Sequence, residues 1–226
     1  MKIAVLGTGM VGQALAGRLS ELGHEVTVGT RDVAATTAKT APDEMGNPPY
    51  PAWAATHPQV RLATFADAAA DAELLVNATS GAVSIGVLNS VGADHLVGKI
   101  LLDIANPLDF SAGFPPGLFV KDTDSLGEQI QAAFPQLRVV KALNTLAATL
   151  MVDPRQLADG DHSVFVSGND GDAKKTVVAL LESFGHTDVV DLGDISTARG
   201  TEMLLPLWLR LMGALNTLTF NVKVVR

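Results

Sequence analysis

The glycine pattern Gly7-Thr8-Gly9-Met10-Val11-Gly12, set directly behind the apolar run Ile3-Ala4-Val5-Leu6, constrains this chain more than any other feature. A short, continuously apolar run reads as a strand buried on both faces of a parallel sheet. Val11, Leu15, Leu19 and Leu22 then recur at helical spacing, and Gly23 closes the element as a C-terminal cap would. Glu25 to Val28 follows as a second strand, so the unit is strand, glycine turn, helix, strand. In that context each glycine has a separate steric task. Gly7 permits the tight turn, Gly9 leaves no side chain where a pyrophosphate must approach, and Gly12 lets the helix pack closely on the strand. The helix N-terminus directs unpaired N–H groups and partial positive charge at the turn, which suits it to a diphosphate. The expected fold is α/β: a Rossmann-type, doubly wound, mainly parallel sheet with a small helical C-terminal portion.

The end of the second strand selects the dinucleotide. An NAD site usually carries Asp or Glu about 20 residues past the glycines, to accept hydrogen bonds from the ribose hydroxyls. This chain has Gly29-Thr30-Arg31 there. The Thr30 hydroxyl and the Arg31 guanidinium suit a 2′-phosphate, with Arg31 able to give a charge-assisted fork, so the expected cofactor is NADP. Asp32 follows at once and argues the other way, unless it caps the helix that begins there.

Composition narrows the remaining classes. The 226 residues allow one large or two small domains. We expect an NADP-binding Rossmann domain over 1–140 and a smaller portion over 141–226 that closes the substrate cleft. The net charge of −8 and the lack of a long basic run argue against nucleic acid. The absence of cysteine excludes disulfides, thiolate metal sites and cysteine nucleophiles, and fits a cytoplasmic protein. The N-terminus reads as a sheet strand rather than a signal peptide. The apolar segment Met203 to Phe220 carries Pro206 and Arg210 and reads as a buried helix, not a membrane span. Histidines at 24, 57, 95, 162 and 186 lack ligand spacing, so no metal is expected.

Farther along, a short helix to about Lys39 leads into Thr40 to Pro58, where Pro42, Gly46, Pro48, Pro49 and Pro51 predict a loop. Tyr50 and Trp53 within it suggest that it folds back onto the body. Strands are expected at Val60 to Leu62, Glu73 to Val76, Ile100 to Ile104, Arg138 to Val140, Val164 to Val166 and Val189-Val190. Helices are expected at Phe65 to Ala70, at Leu126 to Phe134 behind a Ser125/Glu128 capping box, and at Asp172 to Phe184. Ligands of open parallel sheets sit beyond the carboxyl ends of the strands, where strand order reverses. Two polar loops, Asn77-Ala78-Thr79-Ser80 and Asn106-Pro107, end strands on that edge and are candidates for the nicotinamide pocket; as ordinary turns their Asn and Ser would only cap. Asp109 to Lys121, rich in Gly and Pro, reads as a mobile cover for substrate. One long helical stretch, Ser196 to Asn221, is expected to kink or restart at Pro206.

Two further groups remain open. Lys141 three residues before Asn144 matches a general-acid arrangement of hydroxyacid dehydrogenases. That arrangement needs a large helical domain after the lysine, whereas the residues that follow read partly as sheet, so a structural or cofactor-lining role fits better. Arg199 and Glu202 have the spacing of an i,i+3 surface ion pair, with contact between Arg199 and an anionic substrate as the alternative. No catalytic triad, carboxylate pair or metal cluster is legible.

Gly7 to Gly12, the Gly-Thr-Arg strand ending, Asn106-Pro107, Lys141-Ala-Leu-Asn-Thr, Asp191-Leu-Gly-Asp and Phe220-Asn221-Val222-Lys223 together resemble the coenzyme F420-dependent NADP oxidoreductases. The same core resembles the reductase domain of the STEAP metalloreductases. The resemblance implies direct hydride transfer between a nicotinamide and a deazaflavin, coenzyme F420, held in the cleft between the Rossmann domain and the C-terminal portion. It implies Thr8, Met10 and Val11 on the pyrophosphate with Gly7, Gly9 and Gly12, Thr30 and Arg31 on the 2′-phosphate, and Ala78 and Thr79 beside the nicotinamide. Alternatives are a reductase of flavin, ferric chelate or imine, and a non-enzymatic NADP-binding redox sensor. The apolar final helix allows a homodimer.

Overall fold

The computed structural model describes residues 1–42 and 46–226. The chain runs β1 (Lys2–Leu6), α1 (Met10–Glu21), β2 (Glu25–Thr30), α2 (Val33–Thr37), α3 (Tyr50–Ala54), β3 (Arg61–Thr64), α4 (Phe65–Ala70), β4 (Leu74–Asn77) and α5 (Gly81–Val91). It continues through β5 (Ile100–Asp103), β6 (Leu108–Asp109), β7 (Gly117–Leu118), α6 (Leu126–Ala133), β8 (Arg138–Ala142), α7 (Ala148–Val152), β9 (Ser163–Gly168), α8 (Gly171–Phe184), β10 (Asp188–Gly193), α9 (Ala198–Met203) and α10 (Leu205–Leu215).

Eight strands form one sheet in the order β10-β9-β8-β5-β4-β1-β2-β3. Every pairing is parallel except β8 with β9. The run β3-β2-β1-β4-β5-β8 is the doubly wound order, and the chain reverses direction across the sheet between β1 and β4. Alternate residues of each strand feed two cores. Val5, Val28, Val76 and Leu102 pack with Leu15 and Leu19 of α1 and Leu181 of α8 on one face. Leu6, Leu75, Leu101 and Val139 pack with Phe65 of α4, Leu88 of α5 and Ile130 of α6 on the other. Each such buried aliphatic side chain contributes about 1.5–3 kcal/mol over leaving it in water, and the α/β expectation is borne out.

Two local expectations need correction, and the segment between them gains a defined structure. The segment 40–58 is not wholly a loop: Pro49 and Pro51 start a helical turn, α3, whose buried Tyr50 and half-buried Trp53 rings lie 5.4 Å apart. The part of that expectation that falls on residues 43–45 lies outside the described residues. Within 109–121, β6 and β7 pair as a small antiparallel hairpin tied to the preceding turn by a hydrogen bond from Phe119 N to Pro107 O, 2.9 Å. The last helix is broken. A turn at Ile195–Thr197 and α9 come first, and α10 restarts with Pro206 in its first turn, where a missing N–H costs nothing. Asn216, at φ 49° in the left-handed region, ends α10 five residues before Asn221. No helix among the described residues is long and apolar enough to cross a membrane.

Candidate functional site

The glycine turn stands at the carboxyl edge of β1, beside the reversal of strand order. Gly7 has φ 122° and is so close to the next loop that a Cβ would lie 2.6 Å from Ala78 O. A Cβ on Gly12 would lie 2.1 Å from Gly7 O, which fixes the helix against the turn. Gly9 is different. It occupies the N-cap of α1 with no side-chain cap, and a Cβ there would meet nothing within 4 Å. The space above the α1 N-terminus is therefore open where an anion would sit, and its first N–H groups have no partner within the helix. Thr8 is half-buried, and its carbonyl accepts a hydrogen bond from Gln13 Nε2, 2.9 Å, which pins the turn; Met10 is exposed and Val11 half-buried.

At the end of β2, Asp32 caps α2 by accepting from Ala35 N at 2.9 Å, which accounts for the one acidic residue near this strand end. Thr30 is buried and its hydroxyl is 2.8 Å from that of Thr36. Arg31 is exposed, and among the described residues its guanidinium has no hydrogen-bond or ion-pair partner. An exposed cation at the end of β2 fits a phosphate and would not replace the carboxylate of an NAD site.

The β4 loop closes on the turn, and the β5 loop closes on the β4 loop. Ala78 N donates to Leu6 O, 3.0 Å. Asn77 is fully buried; its Nδ2 donates to Ser84 Oγ at 3.0 Å and to Asp103 Oδ1 at 2.8 Å, while its Oδ1 accepts from the Thr79 hydroxyl at 2.6 Å. Gly81 lies so near the third loop that a Cβ would sit 2.1 Å from Asn106 O. Asn106 exchanges two hydrogen bonds with Asn144: its Nδ2 donates to Asn144 O at 2.8 Å, and Asn144 Nδ2 donates to Asn106 Oδ1 at 3.0 Å. Pro107 is buried behind it. Leu143, at φ 61°, turns the chain sharply between Lys141 and Asn144.

Sequence reasoning favoured a structural or cofactor-lining role for Lys141 but missed its partners. Lys141 is 1% exposed and does not face solvent as a general acid would. Its Nζ donates to Asp103 Oδ2 at 2.8 Å, to Ala105 O at 2.5 Å and to Glu202 Oε1 at 2.8 Å. Burial opposes its charge, but the Asp103 and Glu202 carboxylates outweigh that and hold the ammonium above the usual lysine range. Glu202 is thus buried and unavailable to Arg199, which corrects the expected i,i+3 pair. Arg199 instead makes a fork to Glu128, from Nε at 2.8 Å and from the terminal nitrogen at 2.5 Å. The signal was a charged residue closing each of two apolar strands, Ile100-Leu101-Leu102-Asp103 and Val139-Val140-Lys141.

The sequence profile of the family described as NADP oxidoreductase coenzyme F420-dependent matches residues 2–107. The F420-dependent NADP reductase of Methanothermobacter marburgensis is 30% identical over 216 residues, covering 93% of this chain and 92% of that one. The metalloreductase STEAP3 of Rattus norvegicus is 30% identical over 212 residues, but the chain spans only 38% of its length. A crystal structure from Arthrobacter sp. FB24, provisionally named an F420-dependent NADP-reductase, superposes with a TM-score of 0.96 at 63% identity over 100% of both chains.

Proposed function

Because this chain belongs to the coenzyme F420-dependent NADP oxidoreductase family, we propose that it moves a hydride between NADP(H) and a deazaflavin of the F420 type. The observation that supports this most is the open space at Gly9 above the α1 N-terminus, together with an exposed Arg31 that has no partner among the described residues and a β4 loop packed on the glycine turn at Gly7. When bound, the nicotinamide coenzyme supplies or takes up the hydride that the deazaflavin exchanges.

The chain's own residues bind and orient. Thr8, Gly9, Met10, Val11 and Gly12 hold the pyrophosphate through backbone N–H groups and the helix dipole, and Gly7, whose own N–H donates to Gly29 O, shapes the turn beneath it. Arg31 takes the 2′-phosphate, on a strand end that Thr30 and Thr36 keep rigid. Ala78 and Thr79 line the nicotinamide, Asn106 and Pro107 border it, and Asn77 acts through Thr79. Residues 141–226 close the cleft, and the hairpin with exposed Phe110 and Phe114 covers the acceptor side and excludes water. Direct hydride exchange needs no general acid or base, so holding two rings in contact supplies most of the rate. Leu207 and Leu215, each about half exposed on α10, form the two-fold contact of a homodimer.

Steady-state NADPH oxidation against F420, FMN and a ferric chelate tests this reading. It expects turnover with F420 far above the others. Turnover with ferric chelate or flavin alone would reassign the acceptor, and NADPH binding with no turnover would favour a sensor.

A further inference from the structure

Three neighbouring parallel strands and the antiparallel strand beyond them set polar residues in one row. Asn77 of β4 is in register with Asp103 of β5, Asp103 with Lys141 of β8, and Lys141 with Ser167 of β9. In-register neighbours share a face of the sheet. This is the face on which Leu75, Leu101 and Val139, two residues earlier on their strands, build the core with α5 and α6. The row is joined by hydrogen bonds rather than merely adjacent. Thr79 donates to Asn77, Asn77 to Asp103, and Lys141 to Asp103 and Glu202. Glu202 of α9 in turn accepts from Leu126 N at 2.8 Å and Gly127 N at 3.0 Å, the first amides of α6.

The accounting is complete at each charged member. All three Lys141 protons have acceptors, and both carboxylates have a donor on each oxygen. Two buried carboxylates and one ammonium leave an excess negative charge, which the α6 N-terminus opposes. A buried network with no spare donor or acceptor has one low-energy arrangement. It runs from Thr79, at the carboxyl edge of the sheet, to α9 in the C-terminal portion.

We propose that Lys141 is a positioning residue for hydride transfer: held between Asp103 and Glu202, it fixes the Thr79 loop relative to the C-terminal portion that closes the cleft. The inference rests on the functional reading above. A merely structural Lys141 would change how much protein is folded. A positioning Lys141 changes the rate constant of the folded protein, because a small misplacement of reacting groups is costly.

The test uses Glu202→Gln, which keeps the shape of the side chain and removes the charge facing Lys141, with Asp103→Asn as a second variant that keeps an acceptor for Asn77. In the ligand-free protein, hydrogen exchange across residues 78–84 should quicken by about threefold or more in either variant, although the substitutions lie outside that segment. In a single turnover at saturating NADPH and F420, the rate constant should fall by about tenfold or more at full amplitude, with NADPH affinity within about twofold of the parent. Variants that exchange and transfer like the parent, or that lose amplitude at an unchanged rate constant, overturn the inference. A parent protein that leaves F420 oxidised overturns the functional reading instead, and the exchange result then decides the coupling by itself.

Discussion

Asp103 and Lys141 stand opposite one another in register on β5 and β8, and their side chains meet at 2.8 Å with 0% and 1% exposure. Central strands of a parallel sheet are normally apolar throughout. A charged pair there costs desolvation, and it persists because Glu202, Asn77 and the Ala105 carbonyl complete its hydrogen bonds.

Removing one partner should therefore be severe. Lys141→Met leaves two buried carboxylates without their counter-charge and should cost about 3–5 kcal/mol in chemical denaturation. A loss below about 1 kcal/mol would mean that water or relaxation already screens the site.

The glycines separate fold from function. Gly12→Ala drives a Cβ to within 2.1 Å of Gly7 O and should destabilise the protein, as read by thermal melting. Gly9→Val should lower melting less than Gly12→Ala, the loss being that of a poorer N-cap with nothing within 4 Å of the added Cβ, while abolishing binding of both NADPH and NADH. A folded Gly9→Val protein that still binds would reduce the turn to a structural role.

Coenzyme choice rests on Arg31. Arg31→Ala should weaken NADPH by about tenfold or more, the worth of a charge-assisted hydrogen bond, and leave NADH little changed in calorimetric titration. Equal losses for both would remove Arg31 from the 2′-phosphate.

How much of this was legible follows from which interactions are local. The glycine turn, the Asp32 cap and the Ser125/Glu128 capping box are short-range patterns, and each stands where the sequence placed it. The partners of Lys141 lie 38 and 61 residues away along the chain, at Asp103 and Glu202, so no spacing rule could pair them. Arg199 and Glu202 misled because i,i+3 spacing says two side chains can meet. It does not say that each has a better partner across the fold, Glu128 for one and Lys141 for the other. Pro206 was expected to kink or restart the last helix, and it restarts it, since a proline in the first turn has no intrahelical N–H to lose.

Acid should weaken the fold through His186. Its ring is buried, with Nε2 at 2.9 Å from Met151 O, and desolvation lowers its pKa below 6.5 despite that contact, with neighbouring His162 adding to the effect. The unfolded chain then binds a proton that the folded chain resists, so this stability is present above about pH 6.5 and is lost as pH falls below it. His186→Gln should flatten the decline in unfolding free energy between about pH 7 and pH 5 relative to the parent. An identical slope would show that His186 titrates alike in both states.

The measurement that bears most directly on the central claim is anaerobic mixing of the NADPH-saturated protein with one equivalent of oxidised F420, followed by deazaflavin absorbance. The account expects stoichiometric bleaching that needs NADPH and is lost in Gly9→Val. Tight NADPH binding with an unchanged deazaflavin spectrum would contradict it.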